Sequence, residues 1–480
     1  MAVEILESCL VKPSEATAPE HGVWLSNLDL LVARSLTPTV YIYRPRSDPA
    51  FFSPPVLKAA LSKALVPFYP LAGRLAQDDA GRPEIRCSGE GVLFVTARAD
   101  ATLDDLCDFA PSDELRRTLV PTADVAGTLL AMFQVTFFKC GGVCLGVAIH
   151  HTAADGLAAL DFVNAWATIA RGDVAASPCL DRTLLRARSP PSVRFEHAEY
   201  SRRASGPNPT VAFHSAILPL SKIQVDALKG EGKGLSTFKA VVAHVWRCAC
   251  AARGLAPTED SRLYMTADAR SRVHPRLPRG YFGNAIFRAS SEAAKVGDVA
   301  SGTLEAVAEM VTAATARLDD EHVRSLVDYL ELLQAVDAAG LRKGEWVMPE
   351  TDLWVISWQG LPIYDADFGW GRPVFMGRAC LQFSGLVYLV PGPDGDGRLD
   401  VVVAMEPRSL AMFREVFYQE LKCRNPWEHA SCTTPAEATR YSIRRPTMEM
   451  QEPDSRDEDV HILSDAFLCS GLVVKQPTCL

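Results

Sequence analysis

Several features are scarce in this 480-residue chain, and each scarcity removes a class of function. No uninterrupted apolar stretch is long enough to cross a bilayer, so no membrane span is expected. No long basic run occurs, and the formal net charge is −9, so nucleic acid is not expected as a partner. The 13 cysteines are scattered without CxxC pairs, as suits buried free thiols in a reducing cytoplasm rather than a disulfide framework. Met1 to Ser8 carries acids and lacks an apolar signal core, so no secretory peptide is expected. Internal repeats of solenoid or propeller period are missing too.

What is present describes a large mixed protein. Hydrophobic residues make up 48% of the chain, ample for a sizeable core and for more than one domain. Strand-like and helix-like segments alternate, which gives an α/β fold class. Ser53 to Val66 predicts an amphipathic helix stopped by Pro67-Phe68-Tyr69-Pro70. Phe133 to Ile149 predicts two strands joined through Lys139-Cys140-Gly141-Gly142. Leu157 to Ala170 has helical spacing with Gly172 as its stop, and Ser236 or Thr237 caps a helix through Ala252. Leu318 to Leu332 predicts another helix. Leu263 to Thr266, Leu353 to Trp358, Leu386 to Leu389 and Leu399 to Ala404 predict strands.

Chemistry enters at His151-Thr152-Ala153-Ala154-Asp155-Gly156, directly after the apolar run Val143 to Ile149. A neutral imidazole at the end of a buried strand is placed to act as a general base. A core histidine hydrogen-bonded to a nearby acid would look the same in sequence. His150 can point the other way along the strand, and that divergence argues against a metal site built from His150, His151 and Asp155. A second unusual segment, Asp365-Ala366-Asp367-Phe368-Gly369-Trp370-Gly371-Arg372-Pro373, brackets a tryptophan with glycines and predicts a tight turn.

With both segments in this order and at this separation, the chain resembles the plant acyl-CoA-dependent acyltransferases called the BAHD family, whose two signatures are His-x-x-x-Asp and Asp-Phe-Gly-Trp-Gly. Phe68 to Leu75, Gln134 to Gly142, Gly280-Tyr281-Phe282-Gly283-Asn284 and Leu361-Pro362-Ile363-Tyr364 bring it close to the hydroxycinnamoyl-CoA transferase branch. The resemblance implies two chloramphenicol-acetyltransferase-like domains with mixed sheets and a solvent channel between them. It places an N-terminal domain at 1–177, a crossover at 178–210 and a C-terminal domain at 211–421. It implies a monomer that works on a small-molecule acyl-CoA donor and a small acceptor, with CoA thioester as co-substrate and no further cofactor or metal.

On this reading His151 takes the acceptor's proton and passes it to the departing thiolate, worth roughly 10²–10⁴-fold. The chain has no Gly-x-Ser-x-Gly elbow and no cysteine beside His151, so transfer is expected to be direct, without an acyl-enzyme. Asp155 has two readings: a triad partner of His151, or a loop anchor held by an arginine. The resemblance implies the second, with Arg270 or Arg272 as partner. It gives Asp367, with Gly369, Trp370 and Gly371, a structural role in which the carboxylate pairs with an arginine; the Trp370 indole can also serve a carbonyl. Arg270, Arg272 and Arg279, clustered with His274 and Arg276, suit the phosphates of CoA, the alternative being internal ion pairs. Thr37, Thr39 and Tyr41 match a segment that lines the acyl pocket in hydroxycinnamoyl transferases; ordinary strand residues facing solvent are the alternative.

The acceptor is where the chain departs from its relatives. Shikimate and quinate transferases carry an arginine immediately before Leu-Pro-Ile-Tyr, and here that position is Gly360. Losing a charge-assisted pair forfeits about 1.5–3 kcal/mol, on the order of 10–100-fold in acceptor binding. Thr152 stands where those enzymes have a second histidine. An amine such as putrescine or agmatine is therefore expected, ahead of glycerol and of shikimate or quinate. A peptide-synthetase condensation domain shares the His-His-x-x-x-Asp-Gly pattern but would need carrier-protein neighbours and no Asp-Phe-Gly-Trp-Gly. A non-catalytic binding protein on this fold would have no need of an intact His151 and Asp155. From 422 to 480 the resemblance stops, and acids, proline and threonine without a steady period read as a disordered tail, with a partner-binding segment as alternative.

Overall fold

The computed structural model describes residues 1–17, 22–122, 129–200, 212–230, 234–336 and 348–424, and all that follows concerns these. Contacts gather residues 1–426 into one compact unit. Residues 422–424, where the expected disordered tail begins, continue the helix Pro407–Arg424; the rest of that tail, like the last part of the expected crossover, lies outside the described residues.

Two six-stranded sheets organise this unit. The first runs, in spatial order, Val3–Val11, Val92–Ala99, Ala131–Phe137, Val143–His150, Leu36–Tyr43 and Phe375–Arg378. The second runs Ile286–Ser290, Leu263–Asp268, Leu353–Ser357, Leu386–Pro391, Leu399–Met405 and His214–Leu220. Each mixes parallel and antiparallel pairs. The predicted hairpin is present, with Ala131–Phe137 and Val143–His150 antiparallel. One strand crosses the expected boundary between halves: Phe375–Arg378, from the C-terminal half, pairs antiparallel with Leu36–Tyr43 and so completes the first sheet.

Side-chain alternation explains how the layers stack. In Leu386–Pro391, residues Val387 and Leu389 join a core with the helices Thr237–Ala252, Leu304–Ala316 and Pro407–Arg424. Leu386, Tyr388 and Val390 point the other way, into a core shared with Tyr41, Val147, Ile149 and the helices Pro54–Ala64 and Gly156–Ala170. A strand buried on both faces reads as a continuous apolar run, which is why these segments were visible in sequence. The predicted helices are found, and Ser236 accepts from the Lys239 amide as N-cap. The first strand was not anticipated. A register shift between Ile5 and Glu7 breaks its alternation, and as an edge strand it leaves Ile5, Leu6 and Leu10 exposed.

The described part of the crossover is fastened to the helix Asp320–Val336. Arg188 holds Asp328 at 2.6 Å and Glu321 at 3.0 Å. Cys179 exchanges backbone hydrogen bonds with Gly280 and Phe282, and this fixes the Gly280–Asn284 segment beside the site described next.

Candidate active site

The strand Val143–His150 ends at His150, and the chain turns through 151–155 into the helix Gly156–Ala170. Asp155 is the N-cap of that helix, its side chain accepting from the Ala158 amide at 3.0 Å. The turn puts His151 at the mouth of the strand, its amide bonded to the Ser35 carbonyl at 3.0 Å. His151 as a whole is partly buried.

Which ring nitrogen is free follows from Asn284. Its Nδ2 donates to Asp29 Oδ1 (3.0 Å) and to the His151 carbonyl (2.8 Å), groups that only accept. That fixes the amide orientation and leaves Asn284 Oδ1, 3.2 Å from His151 Nδ1, as an acceptor. Nδ1 must then carry the hydrogen, and Nε2 is left with its lone pair. Burial lowers the pKa of His151, joined by the positive charge of Arg378, while Asp155 and Asn284 act in the opposite direction. The neutral, basic form prevails.

Asp155 faces away from this ring. Arg270 clamps it with two bonds, Nη1 to Oδ2 at 2.8 Å and Nη2 to Oδ1 at 3.0 Å, and the Ala285 amide adds a third partner at 3.0 Å. The pair is buried, and the loop-anchor reading of Asp155 is the one this geometry fits. Arg270 also reaches Asp268 and the carbonyls of Tyr281 and Gly283, and the two acids, outweighing burial, drive its pKa up. These commitments take Arg270 out of the phosphate-binding set. Arg272 donates to the Asp268 carbonyl and is partly buried, whereas Arg276 and Arg279 are exposed.

Beneath this shell lies a second one that the sequence reading did not find. Asp29, fully buried, caps its own helix at Ser26 and accepts from the Asn284 amide (2.7 Å) and from Arg182 (3.0 Å). Arg182 in turn donates to the carbonyls of Thr152 (3.3 Å) and Ala153 (2.6 Å), so the turn bearing His151 is held from below by a buried ion pair. Ser26-x-x-Asp29 is a capping-box spacing, and that was the one signal available in sequence. His150 points to the opposite face; burial, then the neighbouring His151 and Arg34, lower its pKa to about 4.

Thr37, Thr39 and Tyr41 stand opposite Ile149, Val147 and Leu145. They share the sheet face on which the strand leads to His151, and Thr39 and Tyr41 are buried, so the solvent-facing alternative fails for both. On the other flank Arg378 is opposite Thr39 and Met376 opposite Tyr41. A narrow cleft between the two sheets is lined by Met376, Arg378, Tyr388, Val390, Asp400 and Val402, among others. Arg378, which the sequence reading passed over, is 4% exposed, and its Nε is buried without a hydrogen-bond partner.

The Asp367 loop is a separate piece of architecture. Asp367 Oδ1 accepts from the Gly369 and Gly371 amides at 2.8 and 2.9 Å, and both glycines take φ of 101°. The expected arginine is there, but Arg171 donates to the Asp367 backbone carbonyl, not to its carboxylate. The carboxylate is occupied by the amides of its own turn. The Trp370 indole donates to the Asp48 carboxylate at 2.8 Å instead of to a carbonyl. Phe368 packs on Trp166 and Phe52, so the loop plugs the first core. Gly360 has φ of 77°, is exposed, and has open space where a Cβ would sit.

Comparison with known proteins points the same way as this geometry. The profile of the transferase family matches residues 1–420. Putrescine hydroxycinnamoyltransferase 1 of Oryza sativa subsp. japonica is 74% identical over 448 residues, covering 88% of this chain and 100% of that protein. Shikimate O-hydroxycinnamoyltransferase of Nicotiana tabacum is 43% identical over 443 residues, covering 87% and 100%. Among solved structures, that of vinorine synthase superposes with a TM-score of 0.69 at 24% identity, covering 86% of this chain and 96% of that one, a likeness of fold.

Proposed function

The chain belongs to the transferase family of BAHD acyl-CoA-dependent acyltransferases, and we propose that it moves a hydroxycinnamoyl group (p-coumaroyl, caffeoyl or feruloyl) from CoA to an amine such as putrescine or agmatine. The observation that carries this reading is His151: a neutral imidazole whose Nδ1–H is tied to Asn284, so that Nε2 is free to accept a proton. As the acceptor nitrogen attacks the thioester carbonyl, Nε2 takes the N–H proton and the C–N bond forms. When the tetrahedral centre collapses, the C–S bond breaks and the same nitrogen returns the proton to the CoA sulfur. Nothing is left on the enzyme, so no nucleophilic side chain is required.

The site residues divide by role under this proposal. His151 is catalytic. Asn284 positions it, and Asp155 with Arg270, Asp29 and Arg182 hold its turn. Thr37, Thr39 and Tyr41 line the acyl pocket. Arg279, with Arg276 and Arg272, meets the CoA phosphates, where guanidinium forks suit the charge. Gly360 leaves the acceptor side without a carboxylate clamp, which favours an amine over shikimate or quinate. No described helix is long and apolar enough to cross a membrane. We place the protein in the cytoplasm as a monomer.

The test is turnover of p-coumaroyl-CoA against a panel of putrescine, agmatine, glycerol, shikimate and quinate, with products read by mass. The expected product is the coumaroyl amide with release of free CoA. Ester products alone would replace the amine reading by O-acylation. Absence of CoA release with every acceptor would point instead to a binding protein that has kept the fold.

A further inference from the structure

Burying a guanidinium is costly, and proteins normally meet that cost with acids and carbonyls. Arg270 and Arg182 follow the rule through their terminal nitrogens, each bonded to a carboxylate and to main-chain oxygens, although the Arg182 Nε is also without a partner. Arg378 does not. It is 4% exposed, its guanidinium makes no hydrogen bond or ion pair among the described residues, its Nε is fully buried, and the Tyr388 ring lies 5.9 Å from Cζ. Asp400 lines the same cleft but is committed to Arg398, with bonds of 3.0 and 3.1 Å. A folded chain gains nothing in stability from such a group, so a ligand is the natural source of its missing acceptor.

Its place in the sheet says which part of a ligand it would meet. Arg378 is the register partner of Thr39, on the face that also carries Tyr41 and, across the next strand, Val147 and Ile149 leading to His151. Its charge is felt at the His151 ring. A flat group reaching from His151 along Thr37, Thr39 and Tyr41 would bring its far end to the narrow cleft between Arg378 and Tyr388. Apart from Arg378 and the Arg398-bound Asp400, the cleft is walled by apolar side chains such as Met376, Val390 and Val402. A diamine's distant ammonium would be repelled by this buried cation, whereas a phenolic oxygen accepts hydrogen bonds.

We infer that Arg378 is a specificity-determining residue that donates to the ring oxygen of the hydroxycinnamoyl group, so that the chain selects para-oxygenated acyl donors over unsubstituted cinnamoyl. The inference rests on the proposed acyl transfer, and it adds a selectivity which that reading does not require.

The experiment compares kcat/KM for p-coumaroyl-CoA and cinnamoyl-CoA, with putrescine and, in parallel, shikimate as acceptor, in the unaltered protein, Arg378→Met and Arg378→Lys, alongside Tm. The unaltered protein should prefer p-coumaroyl-CoA. Arg378→Met should lower that preference by about 10–100-fold, the worth of a charge-assisted hydrogen bond. Its Tm should hold or rise, because a buried unpaired charge is gone. Lysine keeps the charge without the fork, so its preference should fall between the two. Should Arg378→Met fail to fold, the lysine variant still reads the ratio. An unchanged ratio in a folded variant overturns the inference and leaves acyl transfer standing. A drop confined to shikimate as acceptor overturns it too, assigning Arg378 to an acceptor carboxylate. No turnover of either donor by the unaltered protein defeats the functional reading itself.

Discussion

The two signature segments each contain an aspartate, and the protein treats the two differently. Asp155 is buried, clamped by Arg270 and capped by two amides from opposite ends of the site. Asp367 is half-buried, and its carboxylate closes only its own turn. Neither touches His151. The acid in the first signature holds two distant parts of the chain in one geometry, while the acid in the second shapes a plug that fills the first core. Under the proposed function, a short motif is thus diagnostic of a chemistry while the bonds its carboxylate makes are structural.

The sharpest way to break the comparison is His151→Ala. If the imidazole alone of the first segment does chemistry, turnover should fall about 10²–10⁴-fold with the denaturation midpoint nearly unchanged, measured by CoA release and urea melts. A loss of folding in that variant would make His151 structural like its neighbours. Asp155→Ala should do the reverse of this: leaving Arg270 buried without its partner costs about 3–5 kcal/mol, visible as a fallen urea midpoint and poor recovery of folded protein. A folded, stable but inactive Asp155→Ala would restore the triad reading.

Asp367→Ala should be milder. It frees two amides in a partly exposed turn, costing about 1–3 kcal/mol, and the remaining folded protein should keep its dependence on pH. That dependence is the smallest effect and the one that isolates His151. Burial, with the positive charge of Arg378 as a smaller cause, holds the ring below its ordinary pKa of about 6.5, against the pull of Asp155 and Asn284. The basic form therefore survives as pH falls through 6.5, and kcat/KM should decline only below it. The same ring is readily protonated once unfolded, so its contribution to stability is full above pH 6.5 and wanes toward the lower folded value. A rate limb centred at or above 6.5 would contradict the enclosed, neutral histidine.

Legibility in sequence followed the range over which each feature is decided. The hairpin before His151 and the helix after it were readable because alternation, helical spacing and Gly172 act within a few residues, whereas the cap at Asp155 was not read from the sequence. The strand Phe375–Arg378 was not: it is four residues long and exists because Leu36–Tyr43 offers it an edge. Arg270 could be placed in two roles from sequence, and packing chose one of them. Asn284 was visible only as part of a resembling segment, with nothing to mark its amide as the group that orients the base.

By itself, then, the sequence determined the local geometry that brings an imidazole to a strand end, the tight Asp367 turn and the family to which they belong, since spacing, caps and glycines act through neighbours. Only the tertiary structure decided which nitrogen of His151 is free, which guanidinium anchors Asp155 and which one lacks an acceptor. Those outcomes depend on residues 115 and 133 positions apart, as in Arg270 with Asp155 and Asn284 with His151. Burial turns such meetings into strong hydrogen bonds or costly vacancies, and no local pattern encodes them.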